Sequence, residues 1–166
     1  MKNKGTPSQF PPNVCAVLTF LRENQILYEL STFEAPAHQA SQAAGLLGCP
    51  LGAIVKSLVF EKTASGELLL VLVSGQNRAD EHILNTLVGE HVQPAKPEAV
   101  LAKTGFTVGA VPPCGLSGIS LTIIDADLMG YPNVWASAGA VNVLMRLKPS
   151  DLSNFTDGRI EEIKQR

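Results

Sequence analysis

The chain has 166 residues, 45% of them hydrophobic and 17% charged, with 13 Lys and Arg against 15 Asp and Glu for a formal charge of -2. That length suits one domain of about 100–200 residues, able to bury roughly 70% of its extended-chain surface without disulfides or a metal, and the apolar content excludes an intrinsically disordered chain. The mildly acidic balance excludes a broad basic coat, so any nucleic-acid partner has to be gripped locally.

In chain order, residues 1–12 are polar and Pro-containing and read as a flexible N-terminal arm, with 13–166 as the folded domain. Asn13 offers a helix cap before Val14, Val17, Leu18 and Leu21, whose helical spacing runs to Glu23. Tyr28 to Phe33 alternates like a strand, and an Ala-rich helix from His38 to Leu47 is stopped by Gly48 and Pro50. Ala53–Phe60 and Glu67–Val73 read as strands joined by a hairpin around Ser65-Gly66. Asp80 caps a helix to Val88, and Pro97 opens another to Lys103. From Phe106 to Leu116 a short strand is expected to run into a loop made rigid by Pro112 and Pro113. Strands follow at Leu121–Ile124, Val134–Ser137 and Val141–Leu147, and a short helix at Pro149-Ser150. Without regular βα alternation, these elements predict a single α+β domain with a mixed β-sheet flanked by helices.

Several chemistries lack their residues. Aromatic residues make up 5% of the chain, which argues against stacking platforms for single strands. Cys15, Cys49 and Cys114 form no CxxC, and His38, His82 and His91 form no HxxxH, so no metal site and no cofactor is expected. Thiols without a pairing pattern fit a reducing, cytoplasmic setting. No G-x-G-x-x-G follows a strand and no GxxxxGK[ST] exists. The first dozen residues lack the apolar core of a classical export signal, and the longest aliphatic run, Leu68 to Val73, is too short to span a membrane.

Two features stand out. Lys56 lies in Ala53–Phe60, a strand apolar on both faces, and shares one face with Ile54, Leu58 and Phe60. Its ammonium must be paired, hydrogen-bonded or placed at a cleft, because an isolated buried charge costs several kcal/mol; a strand-end lysine reaching solvent along its stem is the plainer reading. The second is Gly109-Ala110-Val111-Pro112-Pro113-Cys114-Gly115. Its prolines rigidify the backbone, its glycines permit close approach, and the amides of Ala110, Val111, Cys114 and Gly115 are candidate donors to an oxyanion. A structural turn has the same composition. Cys114 has no histidine at a spacing that argues for a nucleophile, and a packed small hydrophobe is the simpler reading. Ser137-Ala138-Gly139 ends a strand and suits a pocket lining or close packing alike, while Asp125 and Asp127 follow a strand, where carboxylates commonly cap turns.

Taken in order, Ile26-Leu27-Tyr28, Ser31-Thr32-Phe33-Glu34, Ile54-Val55-Lys56-Ser57-Leu58-Val59-Phe60, Thr104 to Pro113, Thr122-Ile123-Ile124-Asp125-Ala126, Val134 to Gly139 and Lys148-Pro149-Ser150-Asp151-Leu152 resemble the YbaK/ProX family. These are aminoacyl-tRNA deacylases related to the editing domain of bacterial prolyl-tRNA synthetases. The resemblance covers about residues 13–155. It implies a trans-acting hydrolase that cleaves the ester of a mischarged small amino acid at the 3′ end of a tRNA, tRNA(Pro) foremost, with prolyl-tRNA synthetase as a candidate partner. It assigns catalytic roles to Lys56 and Gly109 and substrate contacts to Phe33, Ala110, Val111, Pro113, Cys114, Ser137 and Gly139. Lys56 would anchor the Gly/Pro loop or the terminal nucleotide, within a local patch drawn from Arg78, Lys103 and Arg146. Cys114-Gly115-Leu116 stand where many relatives carry an aromatic residue and then His, and Ala140 lacks the His of alanine-editing types. Two other readings stay open: a noncatalytic tRNA- or nucleotide-binding module on the same fold, and a cysteine hydrolase using Cys114.

Overall fold

The computed structural model describes residues 9–166; residues 1–8, most of the arm expected at 1–12, lie outside the described residues. Helix α1 (Pro12–Glu23) begins one residue before the expected cap. Pro11 occupies the N-cap position and Pro12 the first turn, where a proline's fixed φ and missing N–H cost nothing, so Asn13 is already helical. Val14, Val17, Leu18 and Leu21 form its buried stripe, each contributing about 1.5–3 kcal/mol by leaving water.

Strand β1 (Glu29–Thr32) leads to α2 (Ala40–Leu47), which opens with a reciprocal Gln39–Gln42 capping box and ends at Gly48 in the left-handed region, φ 64°. A short 3-10 turn (Leu51–Ala53) precedes β2 (Val55–Lys62) and β3 (Leu68–Ser74). The expected Asp80 cap starts α3 (Glu81–Val88), its carboxylate accepting from the amides of His82 and Ile83. Strand β4 (Val92–Pro94) and helix α4 (Pro97–Thr104) follow. The short strand expected from Phe106 does not form. Residues 105–118 are turns and loop, and their apolar members Phe106, Ala110 and Val111 are buried by tertiary packing rather than by strand pairing. Then come β5 (Ile119–Asp125), β6 (Val134–Ala140), β7 (Val143–Leu147), α5 (Pro149–Asn154) and β8 (Arg159–Glu161).

The α+β class holds, and the strands divide between two sheets. A mixed five-stranded sheet runs β4-β2-β3-β5-β8, with β3-β5 and β5-β8 parallel, and a three-stranded antiparallel sheet runs β1-β7-β6. β3 explains the core. All seven of its residues are buried, because Leu70 and Leu72 face a cluster with α1 while Leu69, Val71 and Val73 face a second cluster with Leu84 of α3.

One feature of the topology positions the site. Ile54, the residue before β2, forms an isolated parallel bridge with Trp135 of β6. Beyond it β6 bulges between Ser137 and Ala140, with Gly139 at φ 107°, and the two strands part. Lys56 and Ser137, each two residues past the bridged pair, therefore stand on opposite lips of the gap. A Cβ at Gly139 would lie 3.0 Å from the Asn13 carbonyl oxygen, so the bulge and the start of α1 fit only around glycine.

Candidate active site

The gap between the sheets is a cleft of about 810 Å³ whose wall includes Lys56, Ser57, Asn77, Arg78, Gly109, Val111, Ser137 and Leu144. Of the residues singled out in the sequence, Lys56, Gly109, Val111 and Ser137 thus meet in one concavity.

Lys56 is held from the β3–α3 connection. Its ammonium donates to the main-chain carbonyl of Asn77, so the loop it fixes is residues 75–79 and not the Gly/Pro loop. Asn77 is itself fixed, its amide nitrogen donating to Asp125 Oδ2 at 2.9 Å and to Asp127 Oδ2 at 2.8 Å. Asp125 is 1% exposed and also accepts from the Ser74 amide at 3.0 Å and, through Oδ1, from the Asp127 amide at 3.1 Å. The turn-capping role read for Asp125 is present, and its larger role of anchoring the loop beneath Lys56 was not legible. Asp127 accepts from Lys164 Nζ at 2.7 Å, and the two hydrogen bonds from Lys164 and Asn77 hold its carboxyl below the usual carboxylate range. Burial first and the Arg78 guanidinium second push the Lys56 ammonium below its ordinary value, against the opposing pull of Asp125.

The facing lip is the 109–114 loop. Gly109 has φ 89° in the left-handed region, which lets the chain turn at the mouth of the cleft. Ser137 Oγ donates to the Ala110 carbonyl at 3.0 Å and accepts from the Gly139 amide at 3.1 Å, so one hydroxyl joins the β6 bulge to the loop. The Ala110 amide is not a candidate oxyanion donor, because it closes a turn onto the Thr107 carbonyl at 3.0 Å. The amides of Gly109 and Val111 have no such partner among the described residues, and both residues line the cleft. Ser57 adds a buried hydroxyl without a hydrogen-bond partner among the described residues.

Other expected contacts fall elsewhere. Cys114 does not line the cleft: it is 3% exposed in the core cluster shared with α1, and burial pushes its thiol up to about 12, so a thiolate nucleophile is not available. Pro113 and Gly139 do not line it either, Pro113 being buried in the loop and Gly139 packed on α1. Phe33 does not line the cleft; it packs against the cluster of Ala43, Ala44, Ile54 and Leu144 and is bonded to Asn142 through both its amide and its carbonyl. Of the cations grouped with Lys56, Arg78 alone shares the cleft; Lys103 donates to the Gly66 carbonyl at 2.7 Å and Arg146 pairs with Glu29. Among the described residues no group of three or more His, Cys, Asp or Glu stands together as a metal cage, and no helix is long and apolar enough to cross a membrane.

Residues 34–155 match the aminoacyl-tRNA editing domain, a span that contains both lips of the cleft. The chain belongs to this family. The editing domain described here is similar to a solved structure reported as a proposed trans-editing enzyme for prolyl-tRNA synthetase, at 35% identity and a TM-score of 0.86 over 95% of this chain and 99% of that one. It is 28% identical over 139 residues to the uncharacterized protein YwhH of Bacillus subtilis (strain 168), covering 84% of this chain and 85% of that protein. It is 37% identical over 95 residues to the proline–tRNA ligase of Nitratidesulfovibrio vulgaris (strain Hildenborough), covering 57% of this chain and 16% of the ligase, so the likeness is to one portion of that enzyme.

Proposed function

We propose that this editing domain acts in trans as an ester hydrolase, releasing a small, wrongly attached amino acid from the 3′ end of a tRNA, tRNA(Pro) foremost, in the cytoplasm and without a metal or cofactor. The observation that carries the reading is the meeting of Lys56 with the unengaged amides of Gly109 and Val111 across one cleft. A carbonyl oxygen received by those amides becomes an oxyanion when water attacks the ester carbon, and a donor preorganised for that charge is worth about 3–4 kcal/mol. Water adds to the carbonyl, the ribose oxygen leaves with a proton, and the products are a free amino acid and a tRNA with an intact terminal diol. Water or the neighbouring ribose hydroxyl completes the proton transfer, while the Lys56 ammonium keeps the cleft cationic toward the RNA end. Leu144 and Ser137 line the cleft, and the volume left beside them would set which amino-acid side chain is accepted. Prolyl-tRNA synthetase, the source of tRNA(Pro) errors, is the partner this reading suggests.

The test is release of free amino acid from a panel of mischarged tRNAs carrying Gly, Ala, Ser, Thr or Cys, on several tRNA identities. Release from at least one small-residue ester, well above spontaneous hydrolysis, is expected. Binding of tRNA with no release from any of them would replace the hydrolase by a binding module.

A further inference from the structure

Lys56 and Arg78 are the lysine and arginine of the cleft wall, and their situations differ. Lys56 is committed to the Asn77 carbonyl. The two carboxylates nearest this network are also committed, Asp125 to Ser74 and Asn77, and Asp127 to Asn77 and Lys164. The Arg78 guanidinium is exposed and has neither a hydrogen bond nor an ion pair among the described residues. Its main chain is pinned: the Gln165 amide donates to the Arg78 carbonyl at 2.8 Å, Ala79 bridges Lys164, and the Asp80 amide donates to the Ile163 carbonyl at 2.7 Å. A planar five-donor cation on a fixed backbone, facing into a cleft and lacking an anion, matches the geometry of a phosphate.

We infer that Arg78 is the phosphate-holding residue of the cleft, taking the phosphodiester that precedes the terminal nucleoside of an RNA 3′ end while Lys56 and the Gly109 loop face the nucleoside and its ester. The inference rests on the RNA-end reading above and adds to it a subsite, a ligand group and a residue. It also explains how an acidic protein grips RNA: with one unpaired cation at the right place and not with a basic surface.

The test compares binding of the trinucleotide CpCpA, which carries phosphodiesters, with binding of adenosine, which carries none, by the wild type, Arg78→Ala and Arg78→Lys, at several salt concentrations. The wild type should prefer CpCpA, and Arg78→Ala should cut the CpCpA-to-adenosine affinity ratio about tenfold or more. The slope of log affinity against log salt should flatten by roughly 0.7, the value for one phosphate on a single strand. Arg78→Lys should keep the slope, because the charge remains, and lose part of the affinity, because the fork is gone. Equal weakening toward both ligands, an unchanged salt slope in Arg78→Ala, or a wild type that binds adenosine as tightly as CpCpA would each overturn the assignment. Hydrolysis is scored separately. Arg78-dependent CpCpA binding with no ester release from any aminoacyl-tRNA supports the subsite and refutes the hydrolase; ester release with Arg78-independent binding does the reverse.

Discussion

Ser137 and Ala110, 27 residues apart, are joined by a 3.0 Å hydrogen bond from the serine hydroxyl to the alanine carbonyl, and this bond ties the bulge of β6 to the loop beside it on the lip of the cleft that faces Lys56. The same oxygen accepts from the Gly139 amide, so its removal breaks two interactions in a site where Ser137 is 9% exposed. Ser137→Ala should therefore cost about 1–3 kcal/mol and lower Tm by several degrees. It should also loosen the loop, which amide exchange at residues 109–111 would register. An unchanged Tm with unchanged exchange would mean that the loop is held by its prolines and packing alone.

The Asp125 carboxylate lies beneath Lys56 and satisfies three donors: the amides of Ser74 and Asp127 and the side chain of Asn77. Asp125→Ala orphans them in a buried site, and a loss of about 3 kcal/mol or more is expected in denaturant unfolding. Asp125→Asn keeps one acceptor and should lose less. Both variants should also drive the Lys56 ammonium still lower, because the charge that supports it is gone.

Alkaline pH separates activity from stability at Lys56. Burial and the Arg78 charge place its pKa in the folded protein below the ordinary 10.5. Between the lowered value and 10.5 the native state binds fewer protons than the unfolded state, so this group makes stability rise with pH across that window. On the proposed mechanism hydrolysis uses the ammonium and should fall over the same window. Enzyme-dependent ester release, corrected for spontaneous hydrolysis, should therefore show an alkaline limb that thermal unfolding does not share. Lys56→Arg, which stays charged, should lack that limb in whatever activity it retains.

The buried Cys114 thiol, pushed up to about 12, should resist iodoacetamide at pH 8 in the folded protein. Peptide mapping should place alkylation at Cys15 or Cys49, which are partly exposed, and leave Cys114 unmodified. Rapid, stoichiometric alkylation of Cys114 with matching loss of hydrolysis would revive the cysteine-hydrolase reading.

Local signals accounted for the elements they can fix. The α1 stripe, the Asp80 cap, the Gly48 stop and the β2–β3 hairpin are each written within a few consecutive residues. Strands β4 and β8 were missed because each has three residues and exists through a distant partner, β2 for Val92–Pro94 and β5 for Arg159–Glu161. The false strand at Phe106 had the opposite cause: an apolar run buried by the core looked like a pairing element. At the site, Lys56 and the 109–113 loop were legible as a charge in an apolar strand and a Gly/Pro cluster. The Asn77–Asp125 support was not, since nothing along the chain relates residues 48 positions apart. Cys114 and Pro113 sit in the loop's sequence but turn into the core, and only the fold separates the loop residues that face the cleft from those that do not.

The central claim is hydrolysis at the cleft that Lys56 shares with Gly109 and Val111. Its most direct test is the single-turnover rate of amino acid release from a small-residue ester of tRNA(Pro), with Lys56→Ala beside the wild type. The account predicts release by the wild type far above the spontaneous rate and a loss of at least tenfold in the variant, with folding intact by thermal unfolding. Full deacylation by Lys56→Ala of every aminoacyl-tRNA that the wild type cleaves would contradict it.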